Sequence, residues 1–421
     1  TYTTTDEMNQ STDDESIFLN LNYTLTLLFS TIALIGMIGN ILVILSVCID
    51  LRMKRSLTNR LIVHVACCDL IILLFNIPDL IQFVSSRNGN WILNEISCKL
   101  IRSILVLAQY ASVLTMCMIT IERFIGIVYP LRSKLLLSKK NLRQMALFIW
   151  IFAIVCTSPN FFYLRVIETD DHRTRHCFLV YSKDSIEHQR RYIIHKSIES
   201  TIFYFIPLLL QIYCYIRISI ELCRVDQTLT NSYVFKKNEV DDDAEFDVDN
   251  EDNVTSRITM IDSPSNVPKH SFVDLKRNSY STIIHFKIRE EKQRKNNHNL
   301  LKSRRSVIKM LVVVVLIYFI SFSPQVLVFI LFQTNAIRQT PKFIETPYFI
   351  AFTMLLVTIS SASNPIVYTI FCYKFRLSFA KILRRFCFCI LPFLKSSSHH
   401  HSTTIQQFQL KDNYLQQQQR R

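Results

Sequence analysis

The chain is 421 residues long, 49% hydrophobic and only 19% charged, with a mean hydropathy of +0.22 and a formal net charge of +15. A soluble protein of this length would carry more charge, and four glycines cannot build a glycine-rich phosphate loop, a dinucleotide fingerprint or a glycine-flanked nucleophilic serine. The basic clusters alternate with apolar runs of membrane-spanning length, so the charge indicates membrane topology rather than nucleic-acid binding.

Residues 1–24 are polar and acidic. We expect them to form an extracellular tail without a cleavable signal peptide, so that the first apolar run serves as the insertion signal. Two glycosylation sequons lie in this tail, at Asn9 and Asn22.

Seven apolar runs of spanning length follow the tail. The predicted fold class is therefore an all-α membrane protein, a seven-transmembrane helix bundle over residues 25–372. The predicted spans are Leu25–Cys48, Thr58–Phe83, Ser97–Val128, Leu142–Leu164, Ile193–Cys223, Ser303–Phe332 and Tyr348–Phe371.

Basic residues outside the spans predict the orientation of the chain. They collect at Arg52–Arg60, Arg132–Arg143, Lys287–Arg305 and Lys374–Arg385. The positive-inside rule places these clusters in the cytoplasm and the N-terminus outside. An odd number of crossings puts the two termini on opposite sides, which agrees. We predict a multi-pass plasma-membrane protein whose C-terminus is cytoplasmic.

Two cytoplasmic segments are expected to be disordered, because they are poor in apolar residues. The first, 224–302, is the third intracellular loop and contains a run of eight acids between Asp241 and Asp252. The second is the tail, 390–421. A basic amphipathic stretch, 373–389, predicts a short helix on the membrane surface, which palmitoylation of Cys387 and Cys389 would anchor. The alternative is that these two thiols stay free.

The third apolar run ends on an acid–base pair, Glu122 and Arg123, about 37 Å of helix away from Cys98. Charges at membrane depth are costly and usually mark function. A helix with a cysteine on one side of the membrane and a charged pair on the other suggests a device that carries information across. Cys98 and Cys177 are the two cysteines expected on the oxidising face. A disulfide between them would fix the long outer loop over the bundle.

A second charge, Asp69, lies in the middle of the second run and needs a cation, a proton or hydroxyl donors nearby. One carboxylate with several neutral oxygens suits a sodium ion, and a protonated, hydrogen-bonded Asp69 is the alternative. No other cofactor is expected. The neutral partners expected around it are Asn40, Ser112, Ser360, Ser361 and Asn364.

The chain resembles the rhodopsin-like (class A) G-protein-coupled receptors between Leu25 and Cys389. The resemblance lies in one motif per helix, in the family's order. These motifs are Gly39-Asn40, Asp69, Cys98 with Glu122-Arg123-Phe124, Trp150, Pro207 with Tyr215, Pro324, and Asn364-Pro365-Ile366-Val367-Tyr368.

The resemblance implies a receptor and not an enzyme. Arg123 would pair with Glu122 at rest and face a heterotrimeric G protein once an agonist swings the inner end of span six outward. Tyr215 and Tyr368 would hold the active arrangement, and Leu131 would contact the G protein. Arrestin, a receptor kinase and membrane lipids are the other implied partners, and no nucleic acid is.

Three residues depart from the family pattern. Phe124 replaces the commoner tyrosine, Phe322 replaces the usual tryptophan before the span-six proline, and Arg304 stands where some members have an acid that pairs with Arg123. We expect a smaller aromatic switch and a less tightly held resting state. The complete predicted switch is Glu122, Arg123, Phe124, Tyr215, Phe322, Pro324, Asn364, Pro365 and Tyr368.

The sequence also narrows the class of ligand, because two positions argue against retinal and against a monoamine. Thr358 lies where a retinal Schiff base would need lysine, and Leu105 where amine receptors place aspartate. The segment around Trp91, itself an expected interfacial anchor, resembles the neuropeptide branch of the family. The candidate pocket residues are Asp79, Gln82, Arg102, Gln109, Glu199, Gln325 and Glu345.

Alternatives stay open. The acids at the outer ends of the spans could bind a basic group of a peptide, or could only balance Arg102, Lys196 and Lys342. A receptor of the same fold for a lipid or small molecule is a second interpretation. A seven-span transporter or channel would need an internal repeat and polar helix faces, which the sequence does not show.

Overall fold

The computed structural model describes residues 3–85, 91–136, 138–168, 175–228, 231, 269–333 and 347–394. Within these residues seven helices are long and apolar enough to cross a membrane, which confirms the predicted fold class. We number them as spans one to seven. They are Tyr23–Ile49, Leu57–Asp79, Glu95–Val128, Lys140–Tyr163, Ser185–Thr228, Leu301–Leu331 and Ala351–Phe371.

Most of these spans belong to longer helices. Span one is the end of a helix that begins at Thr3, span two lies in Leu57–Ser85, span four in Lys139–Tyr163, and span seven in Pro347–Phe371. Two short helices connect neighbouring spans, Leu51–Arg55 after span one and Pro130–Leu136 after span three.

The helix of span six corrects the prediction for the third loop. It runs from Lys269 to Gln333, so residues 269–302 of the segment expected to be disordered are helical. No glycine or proline lies between Lys269 and Pro324, and strong helix formers such as lysine, arginine and glutamate are frequent there. The apolar span therefore continues as a polar helix beyond the bundle. The acidic run lies outside the described residues.

The predicted surface helix is present and extends from Tyr373 to Leu394, five residues beyond its predicted end at 389. Phe375, Phe379 and Ile382 are buried at helical spacing on one face, while the basic side chains Lys381 and Arg385 are exposed. This helix is therefore amphipathic and packs its apolar face against the bundle.

Spans one and seven approach each other closely, because span one has glycines where they meet. A Cβ atom at Gly36 would lie 2.7 Å from Cβ of Ala362, and one at Gly39 would lie 2.8 Å from Cβ of Pro365. Small residues allow membrane helices to pack backbone to backbone. The same contact places Asn40 beside span seven.

Span five contains a local widening that its proline explains. The helix Ser185–Ser200 is followed by a π-helical turn, Thr201–Phe205, and then by helix over 206–228. Pro207, two residues after the turn, has no backbone N–H to donate, and proline and π-turns are common causes of a helix bend. Prolines also lie inside spans two, four, six and seven, as the sequence predicts.

The end of the bundle near Cys98, called here the Cys98 end, is covered by a two-stranded antiparallel hairpin. Strand β1 is Leu164–Glu168 and strand β2 is Arg175–Leu179, with Val166 opposite Cys177. The predicted disulfide joins Cys98 to Cys177 and attaches the hairpin to span three.

Trp91 differs from its predicted role as an interfacial anchor. It is buried, its backbone N–H donates to the carbonyl of Arg175 at 2.6 Å, and its ring packs beside Cys98 and Leu164. The indole N–H donates to the carbonyl of Asn94 at 3.2 Å. Trp91 therefore stabilises the hairpin and the disulfide from inside the protein.

Candidate functional site

The opposite end of the bundle, the Arg123 end, holds the acid–base pair that the sequence singles out. Nε of Arg123 lies 2.8 Å from Oε2 of Glu122, and Nη2 lies 3.4 Å from Oε1. The hydroxyl of Thr58 in span two donates to Oε2 of the same carboxylate at 2.8 Å. Glu122 is only 9% exposed, so both of its partners compensate a carboxylate that has lost most of its water. The ion pair between Glu122 and Arg123 is therefore formed in this structure.

The two switch tyrosines are engaged elsewhere. The hydroxyl of Tyr215 lies 3.1 Å from that of Thr120, within hydrogen-bond distance, and the ring of Tyr368 stacks on Phe375 of the surface helix at 5.6 Å. Phe124 packs edge-on against Tyr129 in a separate apolar cluster. The described contacts of both tyrosines are therefore with residues other than Arg123, which pairs with its neighbouring acid.

Span six is fastened at the Arg123 end by two contacts that sequence reasoning missed. The hydroxyl of Ser306 donates to the carbonyl of Phe371, the last residue of span seven, at 2.5 Å. Nη2 of Arg305 lies 3.0 Å from Oδ2 of Asp226 in span five. Arg304, which occupies the position of the missing acid, is exposed. The chain therefore fastens span six to its two neighbours without a bond from Arg123.

The polar core around Asp69 forms as predicted from the sequence. The side-chain N–H of Asn364 donates to Oδ2 of Asp69 at 2.7 Å, and Ser361 lines the same cavity. Asn40 donates instead to the backbone carbonyl of Ser361 at 3.1 Å and to that of Gly36 at 3.0 Å. Asn40 therefore fixes the backbone of span seven beside Asp69.

A small cavity adjoins Asp69 between spans two, three, six and seven. Its polar lining consists of one carboxylate with hydroxyl and amide groups, which is the type of donor set that a hard monovalent cation accepts. The lining residues are Asp69, Ile72, Gln109, Ser112, Met116, Val314, Tyr318, Phe322, Ser360, Ser361 and Asn364. The residues present therefore fit the predicted sodium ion.

The aromatic switch residue links this cavity to span six. Phe322 lines the cavity, and its ring lies 4.5 Å from that of Tyr318, one helical turn earlier. Pro324 follows two residues later, inside the helix. A change in the bend at Pro324 would therefore move an aromatic pair that closes the cavity.

At the Cys98 end, two of the candidate pocket acids are paired within the chain. Oδ1 of Asp79 lies 2.8 Å from Nη2 of Arg102, and Oε2 of Glu199 lies 2.6 Å from Nζ of Lys196. Arg102 and Lys196, two of the bases considered from the sequence as partners of these acids, thus pair with them. Asp79 is only 3% exposed, yet its second oxygen, Oδ2, has no hydrogen-bond partner among the described residues. That oxygen is buried beside the ion pair with Arg102 in this structure.

Tyr181, just after the hairpin, attaches the outer loop to span five. Its hydroxyl lies 2.8 Å from Nδ1 of His195, and its backbone N–H donates to Nδ1 of His188 at 3.2 Å. Burial raises the pKa of the Tyr181 hydroxyl, so this group keeps its proton and stays neutral beside the imidazole. The candidates Gln109 and Gln325 are half-buried and exposed, respectively.

Comparison with known proteins identifies the family. The family model described as 7 transmembrane receptor (rhodopsin family) matches residues 39–368. The chain belongs to this family. Neuropeptide receptor 15 of Caenorhabditis elegans is 26% identical over 355 residues, which cover 83% of this chain and 86% of that protein.

Other relatives of the receptor match over shorter segments. Galanin receptor 2a of Danio rerio is 28% identical over 35% of this chain and 40% of its own length. Lysophosphatidic acid receptor 6 of Gallus gallus is 28% identical over 49% of this chain and 64% of its own length. The matched segment thus spans less than two thirds of these two receptors. As a member of this family the protein is a multi-pass membrane receptor and not an enzyme.

One residue predicted to contact the G protein, Leu131, is largely exposed in the structure of the receptor. Leu131 follows the proline that begins the short helix after span three, and it is 85% exposed. The candidates that lie outside the described residues or side chains are Asn9, Asn22, Gln82, Glu345, Cys387 and Cys389.

A half-buried histidine that the sequence did not single out connects three spans of the receptor. Nε1 of Trp150 in span four donates to Nε2 of His64 in span two at 2.7 Å, so Nε2 is the accepting nitrogen. The hydroxyl of Thr115 in span three lies 2.8 Å from Nδ1 of His64 and 2.6 Å from the carbonyl of Ala111. Nδ1 therefore carries the ring proton and donates it to Thr115, whose own proton goes to the carbonyl. Only the tryptophan gave a signal in the sequence.

Proposed function

We propose that this protein is a plasma-membrane neuropeptide receptor that activates heterotrimeric G proteins. The observation that carries the proposal is the closed Glu122–Arg123 pair below a span six that Ser306 and Arg305 fasten to its neighbours. Such an arrangement has two discrete states, which a ligand can bias by binding one of them more tightly.

The Cys98 end would face outward and the Arg123 end the cytoplasm. The positive-inside rule supports this orientation, because the basic clusters follow spans one, three and seven and precede span six at the Arg123 end. An antibody against an N-terminal epitope tag should stain intact cells, and one against a C-terminal tag only permeabilised cells.

A peptide is the favoured ligand because neuropeptide receptor 15 matches most of the chain, whereas the lipid and nucleotide receptors among the relatives match about half of it. A basic group of such a peptide would compete with Arg102 for the carboxylate of Asp79, whose Oδ2 has no hydrogen-bond partner among the described residues. A lipid ligand, as the name of lysophosphatidic acid receptor 6 suggests, is the second candidate.

Several further roles belong to the same proposal. The cavity at Asp69 would hold a sodium ion that stabilises the resting state. Leu131 would contact the G protein, and arrestin and a receptor kinase would bind the active state. Palmitate on Cys387 and Cys389 would hold the surface helix on the membrane, and glycans on Asn9 and Asn22 would mark the outer tail.

The test is a neuropeptide library applied to cells that express the receptor, with calcium and cyclic-nucleotide readouts. We expect at least one peptide to activate the wild type, the variant Arg123→Gln to lose the response, and the variant Arg143→Gln to keep it. Arg143 is a matched control because it is exposed at the same end of the bundle and outside the pair. If only lysophospholipids activated the receptor, the proposed ligand would be a lipid and not a peptide. If Arg123→Gln and Arg143→Gln responded equally to the agonist, the role of Arg123 would be contradicted.

A further inference from the structure

A large cavity opens at the Arg123 end, bounded by span three, span six, the turn after span one and the surface helix. It is rich in basic side chains, and all but Arg123 are exposed. The basic lining residues are Arg52, Arg123, Lys302, Arg304, Lys374, Lys381 and Arg385. No function assigned so far uses this collection of charge as a whole.

The two acidic residues in the lining offset only part of this charge, since seven bases against two acids leave a formal excess of five positive charges. Oδ1 of Asp50 accepts the backbone N–H groups of Arg52 and Met53 at 2.8 and 3.3 Å, and Glu122 is held by Arg123 and Thr58. No ion pair joins the other six bases to an acid within the part of the chain that the structure describes. A concave surface lined by one sign of charge focuses its field and attracts a polyanion.

The chain itself contains a polyanion on the same side of the bundle. Eight of the twelve residues 241–252 are aspartate or glutamate, and this segment lies between spans five and six. We propose that residues 241–252 dock in the basic cavity at the Arg123 end. The occupant is thus a named segment of this chain, chosen for its charge and for its tether at both ends.

The tethers are long enough for this docking. Thirteen residue steps lead from Thr228 to Asp241, which gives a reach of about 45 Å when extended and about 20 Å on average. On the other side, the helix from Lys269 to Lys302 is about 50 Å long, and the seventeen steps from Asp252 to Lys269 can extend about 58 Å. The chain can therefore return to the bundle from the far end of the helix.

The helical extension offers a competing set of eight bases, at Lys269, Lys276, Arg277, Lys287, Arg289, Lys292, Arg294 and Lys295. Charges on a single helix in water are screened over about 8 Å at physiological ionic strength, and exposed ion pairs contribute little. The cavity instead gathers seven bases from four parts of the fold around one concave surface. For this reason we place the segment in the cavity and not along the helix.

Docking would compete with the cytoplasmic partner for the surface around Arg123, and this consequence rests on the proposed function. Removing the acidic charge should then raise the activity of the receptor without agonist. The occupancy itself depends only on the cavity and the segment.

Carbodiimide cross-linking tests the occupancy, since it joins carboxylates to amines in direct contact. The full-length receptor would be purified in neutral-lipid nanodiscs, cross-linked and mapped by mass spectrometry. We expect the acids of 241–252 to link to Lys302, Lys374 and Lys381 at least fivefold more than to Lys54 and Lys140, which are exposed outside the cavity lining. At about 1 M salt, where screening acts within about 3 Å, this preference should disappear. Even linking to all these lysines, or preferred linking to the five lysines of the helical extension before Lys302, would overturn the proposal.

A functional comparison separates this inference from the proposed function. In one variant the eight acids become asparagine or glutamine, and in the control the five acids of the N-terminal tail do. The tail acids are Asp6, Glu7, Asp13, Asp14 and Glu15. We expect the loop variant to raise agonist-free nucleotide exchange on the G protein severalfold above both the wild type and the control. Detectable exchange that is equal in the loop variant and the wild type would overturn the docking, whereas no exchange by either receptor, with cavity cross-links intact, would overturn only the proposed function.

Discussion

Replacing Ser306 with alanine removes the hydrogen bond that fastens span six to the end of span seven. The hydroxyl donates to the carbonyl of Phe371 at 2.5 Å, and the half-buried serine gives this carbonyl a partner beyond its own helix. A neutral hydrogen bond of this kind contributes about 1 kcal/mol, which is about a fivefold change in an equilibrium constant. If outward movement of span six breaks this bond, Ser306→Ala should raise the active fraction about fivefold.

The assay is agonist-free nucleotide exchange on purified G protein. The amount of each receptor variant is equalised by radiolabelling or by quantifying an epitope tag. Ser323→Ala is the matched control, because this serine lies in the same helix but its hydroxyl bonds only to the carbonyl of Ile320. We expect the control to match the wild type. Equal exchange by the wild type and Ser306→Ala would refute the reasoning that this bond holds the resting state.

Three further predictions concern the membrane-embedded part. Gly36→Val should sharply reduce correctly folded receptor at the cell surface, because its side chain would collide with Ala362, whereas Gly126→Val should not, since a Cβ there meets nothing within 4 Å. Asp69→Asn should abolish any difference between agonist affinities measured in sodium and in potassium, and a persisting difference would contradict a sodium site at Asp69. Trp150→Phe should lower thermal stability by several degrees, because Nε2 of His64 loses its donor, and an unchanged melting temperature would contradict this role.

The number of spans and the disulfide could be predicted because each depends on a local signal. Twenty or so apolar residues in a row must cross a membrane as a helix, and the sequence shows seven such runs. Cys98 and Cys177 followed from the predicted orientation alone, since the other cysteines lie in spans or at the basic end. Both inferences need only the hydropathy and the charge of neighbouring residues.

Contacts between residues far apart in the sequence were harder to predict. His64 gave no signal, because a histidine in an apolar helix indicates nothing until Trp150 and Thr115 are placed beside it. Ser306 was missed for the same reason, since its acceptor is a backbone carbonyl 65 residues away. The helical extension over 269–302 was predicted to be disordered because the loop is poor in apolar residues and contains a run of acids, whereas the structure follows the helix propensity of this part.

The central claim is that Arg123 is held by Glu122 at rest and acts on the G protein once released. The most direct measurement is agonist-free nucleotide exchange by Glu122→Gln, alone and combined with Arg123→Gln, on a panel of purified G proteins. The account predicts that Glu122→Gln exceeds the wild type, because the ion pair at 2.8 Å loses its charge, and that the double variant is inactive. A single variant equal to the wild type, or a double variant that stays active, would contradict it.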